Sequence, residues 1–203
     1  MQSTYRKASA ILMAVAIATT IPFGMWFATG AASNLAELLG LAGDNVGSAL
    51  GWLGAAAVTV GYITYTLWAV PFVKEHVAEL STFKLLGAWA AVTSSTLEEV
   101  IFRGVLMDEL DSRGIGALGQ IGVSAILFGV AHAMWMVMSR EWSLVVPVVV
   151  STALLGAALA VVYLLSERVL LPVVIAHVAV NLVIEPWLIL SVVTRAWNPQ
   201  RDI

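Results

Sequence analysis

Two carboxylates sit side by side in an apolar run, Glu98-Glu99-Val100-Ile101-Phe102-Arg103, with a guanidinium closing the stretch. Further along, Phe128 and His132 are four residues apart, and His177 and Asn181 repeat that spacing. On a helix, residues at i and i+4 share a face. Glu99 and Arg103 therefore stack as a pair, with the glutamate on the favourable N-terminal side. Glu98 is rotated by about 100° and is left as the carboxylate without a local partner, the condition of a general base. A carboxylate, two imidazoles and a carboxamide are the parts needed to hold a water, deprotonate it and stabilise an oxyanion.

Taken singly, each residue has a structural reading. A Glu–Arg pair can brace a bundle, a buried histidine can join two helices, and an asparagine can act as packing glue. Glu185, one turn beyond Asn181, reads as a structural group reaching the interface. Thr93, Ser94, Ser95 and Thr96 read as packing residues whose hydroxyls bond their own backbone. His76, in a charged loop, reads as solvated. What favours chemistry is the joint occurrence of Glu98, His132, His177 and Asn181 on three segments.

Those segments must be membrane helices. The chain has 203 residues, is 60% hydrophobic and only 11% charged, against about 25% charged for a typical soluble domain, and its mean hydropathy is +0.92. Its apolar runs approach the length of about 20 residues that crosses a bilayer, at roughly 9–30, 48–73, 83–106, 117–138, 143–166 and 169–194. Backbone polar groups in lipid must pair internally, and no barrel-type alternation is present. The expected fold is an all-α membrane protein: a polytopic transmembrane bundle of about six helices, forming one domain over 1–203 with its motif-bearing core at about 84–185.

Composition excludes other classes. There is no cysteine, hence no disulfide or thiolate chemistry, and the net charge of −3 comes without a basic tract for nucleic acid. The first run is long for a signal peptide and more spans follow, so it reads as an uncleaved helix. With an inside N-terminus, Arg6, Lys7, Lys74, Lys84, Arg140, Arg195 and Arg201 fall inside, and only Arg113 and Arg168 fall in outside loops. That bias predicts both termini in the cytoplasm. Pro22 and Pro186 predict kinks, and Gly47 with Gly51 reads as a chance pair of small residues. His132 falls at a different depth from Glu98 and His177. A fourth helix starting later than residue 117, where Gly114, Gly116 and Gly119 weaken helix, would mend this.

The pattern resembles the CAAX prenyl endopeptidase (CPBP, or ABI) family. Glu98-Glu99-x-x-x-Arg103 is similar to its paired-glutamate motif, Phe128-x-x-x-His132 to its second and His177-x-x-x-Asn181 to its last. The resemblance implies an intramembrane endopeptidase hydrolysing a bond of a membrane-associated or prenylated protein or peptide. Glu98 would be the base, His132 would orient the water, and His177 and Asn181 would stabilise the oxyanion. Glu99, Arg103 and Phe128 would support the site. Two chemistries stay open: glutamate-activated water without a cofactor, which is favoured because no His-Glu-x-x-His helix is present, or a divalent metal such as zinc held by Glu98, His132 and His177. The expected partners are the lipid bilayer and a membrane-associated substrate, in a cell membrane of prokaryotic type. A non-catalytic immunity or chaperone-type relative and a proton-coupled transporter are the alternatives. The latter lacks inverted repeats.

Overall fold

The computed structural model describes residues 2–30, 32–42, 45–139 and 142–196. Arg140 and Arg201, two cations of the orientation argument, lie outside them. Among the described residues all regular structure is helical: α1 (Gln2–Ala28), α2 (Ala32–Leu38), α3 (Ala49–Ala69), α4 (Pro71–His76), α5 (Thr82–Glu99), a π-helical stretch (Val100–Met107), α6 (Asp108–Ser112), α7 (Ala117–Ser139), α8 (Val145–Leu165) and α9 (Leu170–Thr194). The expected all-α membrane bundle is what forms.

Local chemistry sets the helix ends. Ser48 caps α3 by accepting from the Gly51 N–H at 3.0 Å, and Ser81 caps α5 by accepting from Lys84 N–H at 3.2 Å. Pro71 occupies the first turn of α4, where its missing N–H is harmless. Rather than ending the preceding helix, it starts a new one. Arg195 closes α9 in the left-handed conformation.

Among the described residues, four helices are long and apolar enough to cross a membrane: Thr4–Ala28, Ala49–Ala69, Trp142–Leu165 and Leu170–Thr194. The other two expected runs, 83–106 and 117–138, coincide with α5 and its π-helical continuation and with α7. The segment from α5 through the π stretch carries Lys84, Glu98, Glu99 and Arg103, so the groups of the candidate site themselves remove its hydropathic signature. Exposed Ile21, Phe27, Trp68, Val146 and Leu154 form the apolar exterior of an integral membrane protein.

The long helix α9 is the axis, packing against α5, α3, α1 and α8, while α7 pairs with α8. Ala8, Leu12 and Ala16 seal α1 onto this core. α1 is also tied to α5 by hydroxyls: Thr19 and Thr93 share a 2.7 Å hydrogen bond, and the Trp89 indole donates to Thr20 Oγ1 at 3.1 Å. So Thr93 joins two helices as well as bonding its own backbone.

Several expectations change. The third run is not one helix but α5 continued as a π-helix, a rare geometry that no hydrophobic period encodes. The fourth helix does begin at Ala117, so a later start is not what brings His132 level with Glu98, whose Oε2 lies 3.8 Å from the imidazole. Gly47 and Gly51 are not a chance pair, because a side chain would drive the first into Pro172 and the second into Ser166. His76 is not simply solvated: its ring stacks on Phe72 at 4.1 Å and packs near Trp187, and its Nδ1 lies 2.8 Å from the Phe72 carbonyl. Arg168 is not a free loop charge. Its guanidinium bridges Asp108 at 2.6 Å and Asp111 at 2.9 Å and donates to Gln120 Oε1 at 2.8 Å, while the Tyr163 hydroxyl donates to Asp108. This network clamps the α8–α9 turn to α6 and the start of α7.

The α5–α9 contact depends on one glycine. Any Cβ at Gly87 would run into the Pro186 ring, so the two backbones meet where the ring needs an absent side chain. Gly87→Val should therefore lower stability by about 1–3 kcal/mol, the usual range for overpacking. Thermal unfolding in detergent should show the loss, and an unchanged midpoint would contradict this packing.

Candidate active site

α5 delivers two carboxylates into different surroundings. Glu99 is fully buried. Its Oε1 accepts from Arg103 Nη1 at 3.0 Å and lies 2.7 Å from His177 Nδ1. Arg103, also fully buried, sends Nη2 to the Gly156 carbonyl of α8 at 2.8 Å and sets its guanidinium 4.8 Å above the Phe128 ring. The pair thus holds together α5, the π stretch, α8, α9 and, through Phe128, α7. Gly156 is needed twice: its carbonyl receives Arg103, and its bare Cα makes room for Phe128.

Glu98 faces the other way and its side chain keeps 28% exposure. Its Oε2 is 3.8 Å from His132 Nε2 and 3.9 Å from His177 Nε2, and this buried oxygen makes no hydrogen bond among the described residues. Both rings are anchored on their far sides. His132 Nδ1 is 2.8 Å from the Phe128 carbonyl, one turn back on the same helix, so Nδ1–H donates there and Nε2 carries the lone pair. His177 Nδ1 meets a carboxylate oxygen that already accepts from arginine, so it too is the donor, and its Nε2 bears a lone pair that accepts from Asn181 Nδ2 at 3.1 Å. The second Asn181 N–H donates to Ser95 Oγ at 3.0 Å. A hydrogen bond to one ring nitrogen fixes the role of the other.

The structure brings Glu98, His132, His177 and Asn181 to one place, with Glu99, Arg103 and Phe128 behind them. Phe128 is buried between the rings, 4.5 Å from His132 and 5.6 Å from His177 by centroid. Two members escaped the sequence reading. Ser95 shares a face with Glu99, four residues on, and that spacing was a usable signal. Gly156 contributes a carbonyl, which residue type does not announce. Glu185, read as reaching the interface, instead has a buried Oε2 with no hydrogen bond among the described residues.

A zinc ion ligated at about 2.0–2.1 Å places tetrahedral neighbours roughly 3.4 Å apart. The Glu98–imidazole separations of 3.8 and 3.9 Å are wider, and the His177 Nε2 lone pair already accepts from Asn181. No group of three or more metal-ligating side chains forms among the described residues. As arranged, Glu98, His132 and His177 do not fit a closed divalent-metal site.

The model of one protein family, described as type II CAAX prenyl endopeptidase Rce1-like, matches residues 80–183, just over half of the chain and all three motif segments. No curated protein and no solved structure matches the chain.

Removing one partner of a buried ion pair strands the other charge, at a cost of about 3–5 kcal/mol. Arg103→Met should therefore destabilise strongly, while Arg103→Met combined with Glu99→Gln should recover much of the loss. A double-mutant cycle of unfolding free energies measures this, and additive losses would mean that the two side chains do not act as a pair.

Proposed function

We propose that this chain, which belongs to the type II CAAX prenyl endopeptidase Rce1-like family, is an intramembrane endopeptidase that hydrolyses a peptide bond of a membrane-associated or prenylated protein or peptide with water activated by Glu98. The observation that carries the reading is the convergence of Glu98 Oε2 on two imidazole Nε2 atoms at 3.8 and 3.9 Å, each ring tied down on its Nδ1 side. One water oxygen lies within the usual hydrogen-bonding range of about 2.7–3.2 Å from both ends of such a gap.

The tautomers assign the roles. Glu98 Oε2 and His132 Nε2 are both acceptors, so a water between them points its two hydrogens at them and its lone pair outward at the scissile carbonyl. As the water oxygen bonds to the carbonyl carbon, its proton passes to Glu98 and the carbonyl oxygen becomes an oxyanion. The Asn181 Nδ2 group, released from its bond to His177, donates to that oxyanion. His177, held at Nδ1 by Glu99, positions the Asn181 amide beside that oxyanion. The intermediate collapses with cleavage of the C–N bond, and Glu98 returns its proton to the leaving amine, so the carboxylate is regenerated. Glu99 and Arg103 touch no reacting atom in this scheme. They position His177.

The scheme routes no step through a metal, so a divalent-metal chelator should leave the rate unchanged. Glu98→Gln keeps the shape but cannot take a proton, and kcat should fall by about 10²–10⁴-fold, the range of general-base contributions. Both are read by mass spectrometry on prenylated and membrane-anchored peptides, with the wild type in H₂¹⁸O placing one heavy oxygen on the new carboxylate. Hydrolysis surviving in Glu98→Gln, or abolished by chelation, would overturn the mechanism. Failure of the wild type across a broad panel would favour the non-catalytic immunity or chaperone role.

A further inference from the structure

The polar stripe of α9 does not end at Asn181. Glu185 follows one helical turn on, about 5.4 Å along the axis, directly before Pro186, whose ring faces Gly87 of α5. Its Oε2 is buried and makes no hydrogen bond among the described residues. The nearby cation, Arg103, is committed to Glu99 and the Gly156 carbonyl, and Lys84 Nζ donates to the Val77 carbonyl. Among the described residues, then, no cation hydrogen-bonds to Glu98 Oε2 or Glu185 Oε2. Ionisable groups at such depth pair with an opposite charge or line a substrate path.

We infer that Glu185 is a specificity-determining residue that receives a basic side chain of the peptide substrate, within about three residues of the scissile bond. Glu98 faces the imidazoles and is engaged with the water, which leaves Glu185 as the carboxylate free for recognition. The spacing sets the distance. An extended peptide advances about 3.3 Å per residue, and Glu185 lies one turn past the oxyanion donor Asn181 and two turns past His177. A lysine two or three residues from the bond spans that interval.

The inference rests on the peptidase reading for the nature of its ligand, but it is tested by binding alone. The full-length Glu98→Gln protein in lipid nanodiscs is titrated with fluorescent peptides carrying a farnesylated cysteine. Lysine or norleucine is scanned through the positions flanking that cysteine. At one position lysine should bind about tenfold tighter than norleucine, as for a hydrogen bond to a charged group, and Glu185→Gln should bring that ratio to about one. Glu185→Lys should move the preference to glutamate at the same position. A lysine preference absent at every position, or one that survives Glu185→Gln, overturns the inference, and so does no binding of any peptide. Hydrolysis of the best-binding peptide by the wild type is read separately. Preference without hydrolysis keeps the inference and sinks the peptidase reading; hydrolysis without preference does the reverse.

Discussion

The Glu99 carboxylate, which serves Arg103 and His177 at once, is the interaction on which the rest of the site depends. In an apolar interior an ionised carboxylate must be paired and hydrogen-bonded. Here one oxygen takes the guanidinium at 3.0 Å and the imidazole at 2.7 Å. The arginine can reach it only if the helix continues in register, and the imidazole only if α9 lies against α5. The second arm of the arginine then needs the Gly156 carbonyl, which brings in α8, and its flat face needs Phe128, which brings in α7. One charge thus helps set the relative placement of these helices, since apolar contacts carry little register information in lipid.

That constraint passes directly to the chemistry. Because Glu99 takes the Nδ1 proton of His177, the Nε2 lone pair faces Glu98 and Asn181. Because the Phe128 carbonyl takes the Nδ1 proton of His132, a second lone pair faces the same point. The two adjacent glutamates are thereby divided: one is locked and dry, the other half-open and unbonded. The backbone turns π-helical immediately after them, and such widened turns recur at functional sites. At the opposite end of the bundle from the termini, the Arg168 network with Asp108, Asp111, Gln120 and Tyr163 holds the loop ends by the same means, with charges paired where the protein meets water.

Much of this was legible in the sequence, because the membrane makes polar residues conspicuous. The i,i+4 spacings of Glu99 with Arg103, Phe128 with His132 and His177 with Asn181 gave the helix faces, and the apolar runs gave the helical bundle. Depth was not legible. The 83–106 run reads as one span in spite of its charges, but neither the level at which His132 meets Glu98 nor the π-helical turn after Glu99 is marked in composition. Nor do close approaches show in a glycine count: Gly51 against Ser166, Gly87 against Pro186 and Gly156 under Phe128 are apparent only once the partner helix is in place. Ser95 was set aside because a hydroxyl in a helix usually bonds its own turn, whereas here it accepts from Asn181 on another helix.

The central claim, that the buried Glu99 carboxylate fixes His177 as a directed lone pair, is tested most directly by nitrogen NMR of the protein with ¹⁵N-labelled histidine. The His177 resonances are assigned by comparison with His177→Gln. The account predicts a protonated Nδ1 and an unprotonated Nε2 for His177 in the resting protein, with the pattern lost in Glu99→Gln. A His177 ring protonated at Nε2 alone, or one indifferent to Glu99→Gln, would contradict it.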